Sequence, residues 1–392
     1  MGLGYIGLPT AALIASRGIQ VQGIDVNQSV VNTINSGKIH IVEPALDGLV
    51  KHVVEMGLLK ANITPDNADV FLIAVPTPFK GDHEPDLEYV ESATRMIIPK
   101  LNEGNLFILE STSPVGTTDK MAKIIFEERP ELKGKINIAY CPERVLPGNV
   151  IYELEHNDRV IGGLDEKSTK AAQNFYRHFV KGELHATNAK TAEMCKLVEN
   201  SSRDVSIAFA NELSIICDKA EINVWELIHL ANKHPRVNIL QPGTGVGGHC
   251  IAVDPWFIVS EFKKEAVIIR NAREINNYKT EWVIEKIRST ALQFELDNSR
   301  KPTIALMGLA FKPDIDDLRE SPALLVAETL LLDNKYNLLL VEPNLEENKK
   351  YDLTDFTETN GKADIVAYLV AHKDFKGFIT ECIELDFCGV KK

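Results

Sequence analysis

The first part of the chain alternates short apolar runs with a helix-like stretch. Apolar side chains recur through residues 5–17 and predict a helix that ends at Gly18. Four apolar runs that end in polar turns predict buried strands. These runs are residues 19–25, 70–75, 106–109 and 136–139. Strands that alternate with helices predict a parallel, doubly wound sheet, whose ligands bind beyond the carboxyl ends of the strands.

The pattern becomes helical between about residue 187 and residue 298. The stretches with helical character are residues 192–218, 225–232 and 266–296. The first contains no proline or glycine, and the last is long enough to span a domain. This region is therefore predicted to be all-helical, with one long spanning helix.

Alternation returns after residue 298. Strands are predicted at residues 303–307, 337–341 and 365–369, and a helix is predicted at residues 322–332. The fold class is therefore predicted to be α/β, with two Rossmann-like doubly wound domains at 1–187 and 299–392, joined by the helical region at 188–298.

Composition narrows the class of protein. The 392 residues are 44% hydrophobic and 25% charged, as in ordinary soluble proteins, and the net charge of −13 argues against a nucleic acid or an anionic membrane as partner. No apolar run approaches the roughly 20 residues of a membrane helix, and no secretory signal is recognised. The six scattered cysteines form no Cys-x-x-Cys pair, so reduced thiols and a cytoplasmic location are expected.

Three glycines near the start form a Gly-x-Gly-x-x-Gly fingerprint for a dinucleotide. Gly2 permits a tight turn, Gly4 lets a pyrophosphate approach the backbone, and Gly7 lets the helix pack closely. Asp25 closes the next strand, where a carboxylate accepts hydrogen bonds from a ribose 2′-hydroxyl and repels a 2′-phosphate. The pattern favours NAD over NADP as the cofactor.

Only Met1 precedes this fingerprint, although such a motif normally follows a strand. The first strand of the sheet is therefore expected to be missing or truncated. Its neighbours would then expose unpaired backbone groups, which would weaken NAD binding.

Cys250 is the strongest candidate for chemistry. It follows the glycine-rich segment at residues 245–248, and a thiol there can trap an aldehyde as a covalent adduct. Asp254, four residues on, could orient a water molecule, accept a proton, or simply cap a helix ahead of Pro255. The alternative for Cys250 is a small buried thiol without a chemical role.

Lys196 and Asn200 lie four residues apart in a predicted helix and therefore share a face. The lysine can exchange a proton with a substrate hydroxyl, and the asparagine amide can bind the same oxygen. A solvated helix surface is the alternative interpretation.

Further polar residues follow the predicted strands or lie in unusual polar segments. Glu143 follows a strand and a proline, where a catalytic carboxylate could lie. His249, Cys250 and Asp254 are possible metal ligands, but no second ligand cluster accompanies them, so no metal is predicted. Candidate contacts for an anionic substrate are Arg144, Arg203, Arg236, Lys312, Arg319 and Lys373.

Taken together, these motifs resemble those of the UDP-sugar 6-dehydrogenase family. The motifs that appear in family order are Gly-Leu-Gly-Tyr-Ile-Gly-Leu-Pro, Val75-Pro76-Thr77-Pro78, Glu110-Ser111-Thr112, the segment 141–148, Lys196-x-x-x-Asn200, Gly247-Gly248-His249-Cys250 and Phe311-Lys312-Pro313-Asp314. The resemblance covers nearly the whole chain. Segments 142–148 and 245–257 resemble the branch that acts on UDP-N-acetylmannosamine, and Pro147 replaces a glutamate that UDP-glucose enzymes carry.

The resemblance implies a role for each matching residue. Implied contacts to NAD are Gly2, Gly4, Tyr5, Ile6, Gly7, Asp25, Thr77, Thr112 and Arg319. Implied contacts to the UDP-sugar are Arg144, Val145, Lys196, Asn200, Arg203, His234, Arg236, Gly245, Phe311, Lys312 and Lys373. The resemblance also implies a homodimer or higher homo-oligomer formed through the middle helices, in which a neighbouring subunit supplies Arg236.

The implied reaction is a four-electron oxidation of a UDP-sugar at C6, through a thiohemiacetal and a thioester on Cys250. Lys196 and Asn200 would stabilise oxyanions, and Asp254 or Glu143 would activate the hydrolytic water. UDP-N-acetylglucosamine and UDP-glucose are alternative substrates. An ordinary two-electron hydroxyacid dehydrogenase and a nucleotide-sugar-binding protein without catalysis are alternative functions.

Overall fold

The computed structural model describes residues 1–41, 43–81, 83–145, 148–248, 250–345 and 350–392. Pro147 and His249, which the sequence motifs include, lie outside the described residues. The α-helices are α1 (Gly7–Ser16), α2 (Gln28–Asn35), α3 (Leu46–Glu55), α4 (Glu88–Ile97), α5 (Thr117–Glu128), α6 (Val150–His156), α7 (Glu166–Tyr176), α8 (Ala189–Lys219), α9 (Val224–Ala231), α10 (Asp254–Glu261), α11 (Val267–Asn298) and α12 (Pro322–Asp333).

The strands are shorter than the helices and are mostly parallel. They are β1 (Val21–Ile24), β2 (Leu59–Asn62), β3 (Val70–Ile73), β4 (Phe79–Lys80), β5 (Glu84–Pro85), β6 (Leu106–Leu109), β7 (Asn137–Tyr140), β8 (Arg159–Gly163), β9 (Leu184–Asn188), β10 (Thr303–Met307), β11 (Asn337–Val341), β12 (Ile365–Tyr368) and β13 (Ile383–Asp386). The chain forms two compact units, Met1–Glu199 and Asn200–Lys392.

The first unit contains a five-stranded sheet in the order β3-β6-β7-β8-β9 and a two-stranded sheet, β1-β2. All four residues of β6 are buried because helices cover both faces of its sheet. Phe107 and Leu109 pack with α4 and α5, whereas Leu106 and Ile108 pack with α1 and α7. The predicted doubly wound α/β layout is confirmed.

One pair of strands in this sheet departs from the parallel arrangement, because β7 and β8 pair antiparallel. The segment 141–158 joins them, and its described residues include the short helix α6. A parallel sheet often carries such an antiparallel strand, and no long crossover is then needed.

Residues 1 and 2 run between β1 and β3. The backbone nitrogen of Met1 donates to the carbonyl of Leu72 at 2.8 Å, and the Ala74 amide donates to the Met1 carbonyl at 2.9 Å. On the other side, the Gly2 amide donates to the Ile24 carbonyl at 2.7 Å. At the carboxyl ends of β1 and β3, these backbone groups are therefore paired.

Helix α8 begins in the first unit with a buried acid. The Glu193 carboxylate accepts hydrogen bonds from the Gly116 amide at 2.6 Å and from the Thr118 amide and hydroxyl at 2.8 and 2.7 Å. These donors belong to the start of α5, whose first amides have no partner within the helix. Glu193 thus fixes the first turn of α8 against α5.

In the second unit, the parallel sheet has the order β11-β10-β12-β13. Helices α11 and α12 cover one face, where Ile287 and Val326 pack against Ile304 and Leu306 of β10. The predicted long spanning helix is confirmed as the 32-residue α11. Among the described helices, none combines the length and apolarity needed to cross a bilayer.

A buried polar network joins α8 to α11 within this unit. Arg273 donates to Asp204 at 2.7 Å, and Asn276 donates to the same carboxylate at 2.7 Å. Asn211 donates to Asn276 at 2.9 Å and accepts from the Gly243 amide at 2.9 Å. Because breaking a buried ion pair costs about 3–5 kcal/mol, the network firmly fixes the chain at Gly243, just before the glycine-rich segment.

Candidate active site

The three fingerprint glycines have different surroundings. Gly2 has φ +82°, and a Cβ there would lie 2.5 Å from the Ala74 carbonyl oxygen. A Cβ on Gly7 would lie 1.8 Å from the Gly2 carbonyl oxygen, so α1 can start this close only with glycine. A Cβ on Gly4 would meet no heavy atom within 4 Å. Gly2 and Gly7 therefore make the turn, and Gly4 leaves open space in front of it.

Asp25 follows β1 and orders the same turn. Its carboxylate accepts hydrogen bonds from the Leu3 amide at 3.0 Å and the Asn27 amide at 2.9 Å. Each oxygen keeps a further lone pair for a ligand hydroxyl. Tyr5 is 46% exposed, and Ile6 precedes the first residue of α1. The turn, its open face and the acid fit the pyrophosphate and ribose of a dinucleotide.

The loops after β3 and β6 are tied together by hydroxyl groups. Ser111 accepts from the Val75 amide at 2.9 Å and donates to the Val75 carbonyl at 2.7 Å. The buried Thr77 hydroxyl donates to the Thr112 carbonyl at 2.7 Å. Both threonines predicted to contact NAD therefore lie at one edge of the sheet.

Glu143 belongs to a buried cluster rather than to an open surface. Its carboxylate pairs with Arg159 at 3.0 Å, and the Arg144 amide donates to it at 2.5 Å. Beside it, Tyr176 donates to Glu110 at 2.5 Å, and burial raises the pKa of the Cys141 thiol to about 12. Glu143 already neutralises a buried guanidinium, which leaves it poorly suited to act as a base.

The pKa of Glu110 predicts a change of stability with pH. Burial, opposed by Arg159, raises this pKa from 4.5 to about 7. The unfolded chain loses the proton near pH 4.5 and the folded chain only near pH 7, so the free energy of unfolding falls as the pH rises between them. We expect Glu110→Gln to remove this fall. Relative to the wild type, the free energy of unfolding of the variant should therefore rise by up to about 3 kcal/mol between pH 5 and pH 8.

Urea unfolding of the wild type and Glu110→Gln at both pH values measures this difference. Glutamine keeps an acceptor for the Tyr176 hydroxyl, so the comparison changes charge more than shape. Equal pH slopes for the two proteins would contradict the prediction.

Other predicted residues of the first unit lie close to α8. Arg144 binds Glu199 through two nitrogens, at 2.7 and 3.1 Å, and donates to the Asp158 carbonyl at 3.2 Å. Val145 is half-buried against the apolar core. Lys196 is half-buried and makes no hydrogen bond or ion pair with the described residues of its unit.

Cys250 is exposed in the second unit, so the alternative of a buried thiol is wrong. The glycines before it pack tightly against the C-terminal domain. Gly248 has φ +82°, and a Cβ there would lie 2.8 Å from the Phe311 ring; a Cβ on Gly247 would lie 2.3 Å from the Glu320 carbonyl oxygen. A Cβ on Gly245 would lie 2.4 Å from Thr280 Oγ1. Only glycines allow this segment to lie so close to its neighbours.

Asp254 lies one turn beyond Cys250 and does not cap α10. The helix begins at Asp254, and its N-cap residue, Val253, makes no side-chain cap. The Asp254 amide donates to the Cys250 carbonyl at 2.9 Å, and Asn200 Nδ2 donates to Asp254 Oδ2 at 2.5 Å. Asp254 is only 3% exposed. The structure thus brings together three predicted catalytic residues: Asn200, Cys250 and Asp254.

His234 and Arg236 lie in an exposed loop after α9. Asn232 closes this loop by donating to the Ile239 carbonyl at 2.9 Å and accepting from the Ile239 amide at 2.7 Å. Arg203 is exposed on α8. These three cationic or ionisable side chains project from the helical region.

The remaining predicted residues lie at the carboxyl edge of the second sheet. Phe311 contacts the glycine-rich segment, and Lys312 and Lys373 are exposed on two neighbouring loops. Arg319 is 55% exposed and pairs with Asp317 at 2.6 Å, and its carbonyl accepts from the Gly248 amide at 3.2 Å.

Two buried residues near these loops were missed in the sequence. Glu342 follows β11, and His372 lies in the loop after β12; their side chains are 3.0 Å apart and fully buried. Burial raises the pKa of Glu342, but hydrogen bonds from His372 and from two backbone amides outweigh it and lower this pKa to about 2. A signal was available, because Met307-Gly308-Leu309 repeats Met1-Gly2-Leu3, and Glu342, like Asp25, ends the next strand.

Comparison with known proteins decides the family. Residues 1–180, 190–278 and 305–386 match, in turn, the NAD binding domain, the central domain and the UDP binding domain of the UDP-glucose/GDP-mannose dehydrogenase family. The chain belongs to this dehydrogenase family. The resemblance predicted from the motifs and the predicted NAD cofactor are both confirmed.

Relatives and solved structures within the UDP-glucose/GDP-mannose dehydrogenase family align over most of the chain. A Campylobacter jejuni protein named UDP-N-acetyl-D-mannosamine dehydrogenase is 57% identical over 391 residues, covering 96% of this chain and 95% of that protein. A Ralstonia nicotianae protein named NDP-N-acetyl-D-galactosaminuronic acid dehydrogenase is 50% identical over 396 residues, covering 98% and 92%. The structure of a UDP-D-ManNAc dehydrogenase from Pyrococcus horikoshii is 38% identical, covers 100% of this chain and 95% of that chain, and superposes with a TM-score of 0.88.

Proposed function

We propose that the chain oxidises UDP-N-acetyl-D-mannosamine at C6 to UDP-N-acetyl-D-mannosaminuronate, using NAD. The observation that carries the proposal is the exposed Cys250 beside the buried Asp254, which the half-buried Asn200 binds. The name of the 57% identical relative supports the choice of sugar.

The first unit would hold the dinucleotide. Gly2, Gly4 and Gly7 form the turn with its open face, Asp25 offers oxygens to a ribose, and the contacts assigned to Tyr5, Ile6, Thr77, Thr112 and Arg319 stay predictions. NAD⁺, when bound, accepts a hydride in each of two successive oxidations.

Two side chains of α8 would assist the first oxidation, and the thiol would capture the aldehyde that forms. Lys196 takes the proton of the C6 hydroxyl, directly or through water, and Asn200 donates a hydrogen bond to the same oxygen. The Cys250 sulfur then bonds to the aldehyde carbon, and the carbonyl oxygen takes up the thiol proton to give a thiohemiacetal. Loss of a hydride from C6 and of the hydroxyl proton leaves a thioester, so the aldehyde is never released.

Hydrolysis completes the reaction. Asp254 accepts a proton from a water molecule that adds to the thioester carbon. The C–S bond then breaks, and the leaving sulfur takes up the proton held by Asp254, which regenerates the thiol and the carboxylate. Asn200 holds the Asp254 carboxylate through its amide, as the 2.5 Å contact suggests. We assign this base to Asp254 rather than Glu143, since Glu143 is paired with Arg159 in a buried cluster.

A panel of nucleotide sugars tests the proposed substrate. We expect two NADH per molecule of UDP-N-acetyl-D-mannosamine, and kcat/KM at least about tenfold lower for UDP-N-acetylglucosamine and UDP-glucose, which differ from it at C2 of the ring. UDP-N-acetylgalactosamine belongs in the panel because of the Ralstonia nicotianae relative.

The panel also separates the alternative functions. One NADH per sugar would favour a two-electron dehydrogenase, and UDP-sugar binding without NADH would favour a binding protein. Preference for another sugar would overturn the choice of substrate while leaving the thioester chemistry in place.

We further propose a homodimer formed through the helical region, with Arg236 completing the neighbouring subunit's sugar site. Support comes from the exposure of Arg236 and of large apolar side chains nearby, because such patches often mark subunit interfaces. These apolar side chains are Phe209, Ile216, Ile222 and Leu230. A cytoplasmic location and the three-domain division at about residues 187 and 298 also stay proposals.

A further inference from the structure

The backbone turn that opens the first unit recurs after β10. Residues 307–309 repeat residues 1–3, and Gly308 and Gly2 have φ +94° and +82°. The Gly308 amide donates to the Val341 carbonyl at 2.8 Å, as the Gly2 amide donates to the Ile24 carbonyl at 2.7 Å. The two turns therefore lie at equivalent places in their own sheets.

The acid that follows the next strand differs between the two copies. Asp25 is half-buried and accepts from the Leu3 amide and the Asn27 amide. Glu342 is buried, and its Oε2 accepts from the amides of Leu309 and Ala310 at 2.8 and 2.9 Å. Glu342 thus fixes the backbone of the second turn through these two amides.

Glu342 has no acceptor left for a ligand. Besides the two turn amides, its Oε2 accepts from His372 Nε2 at 3.0 Å. Its Oε1 accepts from the backbone and side-chain amides of Asn344 at 3.1 and 3.2 Å. His372 Nδ1 in turn accepts from the Asp314 amide at 3.0 Å, so the ring proton is assigned to Nε2. Glu342 therefore acts on the loops and does not contact a ribose.

His372 links two loops at the edge of the sheet. The loop after β10 carries Phe311, Lys312 and Asp314, and the loop after β12 carries His372 and Lys373. Besides the bond from the Asp314 amide to His372, Asp314 Oδ1 accepts from the Lys373 amide at 2.9 Å. Both lysines are exposed. The Lys373 amide is bonded to Asp314, and Lys312 lies between Phe311, whose amide donates to the Asp317 carbonyl at 3.1 Å, and Asp314.

We propose that Glu342, His372 and Asp314 are positioning residues that hold Lys312 and Lys373 for the diphosphate of the UDP-sugar. The proposal rests on the proposed function, and it places the nucleotide at this edge because residues 305–386 match a UDP binding domain. A preordered pair of cations binds a diphosphate without the cost of ordering two loops. Breaking the link should therefore weaken nucleotide binding more than it slows chemistry.

Asp314→Gly tests the link with little risk to folding. Asp314 has φ +60°, a conformation that glycine adopts readily, and the change removes only the acceptor for the Lys373 amide. We expect the Kd for UDP, measured by calorimetry on the full chain, to rise about tenfold, with KM for the sugar rising in parallel and kcat within about twofold. Asp314→Asn keeps an acceptor and should restore binding towards the wild-type value.

His372→Leu and His372→Gln give an independent pair. Leucine removes both hydrogen bonds, whereas glutamine can donate to Glu342 and accept from the Asp314 amide. The leucine variant should bind UDP about tenfold or more weakly, and the glutamine variant should recover most of the affinity. Titration with NAD serves as the control, and its Kd should not change in any variant.

The outcomes separate the two proposals. A wild-type chain that binds no UDP contradicts the proposed function itself. A wild type that binds UDP, together with an unchanged Kd in Asp314→Gly, overturns the positioning role. If His372→Leu fails to fold, Asp314→Gly and its asparagine control decide the question alone.

Discussion

Replacing Cys250 with alanine abolishes uronate formation and leaves the chain folded. The thiol is exposed, so its loss should change the free energy of unfolding by less than about 0.5 kcal/mol. The rate of uronate formation should fall at least about a thousandfold, because alanine has no sulfur to form the proposed thioester. Measurement of NADH and of the uronate by mass spectrometry, with thermal unfolding as the check on folding, tests this expectation.

A matched thiol controls for the loss of any cysteine. Cys382 is half-buried in the C-terminal domain and donates to the Ala363 carbonyl, with no assigned part in the chemistry. Cys382→Ala should retain two NADH per sugar. If Cys250→Ala also produced two NADH per sugar at the wild-type rate, the thioester would have to be abandoned.

Elements with strong periodicity could be predicted with nearly correct bounds. β10 and β11 occur at the predicted residues 303–307 and 337–341, because each is an apolar run bounded by polar residues. Strands β2, β4, β5, β8, β9 and β13 were not predicted. β9 (Leu184–Asn188) contains no buried residue, and β8 begins with the buried Arg159, so neither has an apolar pattern that marks a strand.

Parts of the candidate site that consist of an unusual local sequence could be predicted, whereas contacts between residues distant in the chain could not. The glycines around Cys250 could be recognised because side chains are excluded by close packing. The pairing of Glu143 with Arg159 could not be predicted, because Arg159 belongs to β8 and only the fold brings it to Glu143. Asp254 was open to a capping role in the sequence. Its place as the first residue of α10 and its contact with Asn200, 54 residues away in the chain, decide against that role.

Two buried networks in the second unit fix the backbone on either side of the exposed thiol. One buried network fixes Gly243 through Asn211, and a second fixes the loops of Phe311 and Lys373 through His372. The exposed thiol is thus held between anchored segments of its own unit. Buried, fully bonded polar groups suit this purpose because they favour one arrangement of the loops.

Replacing Asp254 with asparagine stalls the reaction after the second oxidation. Asparagine can still accept the Asn200 hydrogen bond, but it cannot take a proton from water. Uronate formation in the steady state should therefore fall about 10²–10⁴-fold. A rapid burst of two NADH per chain should precede the slow phase, and intact-mass measurement should find Cys250 acylated by the sugar.

Asp218→Asn, which removes an exposed carboxylate paired with Lys286, should change neither rate. A normal steady-state rate without an acyl adduct would exclude Asp254 as the hydrolytic base, and an equal loss of both NADH steps would show that it acts before the thioester forms.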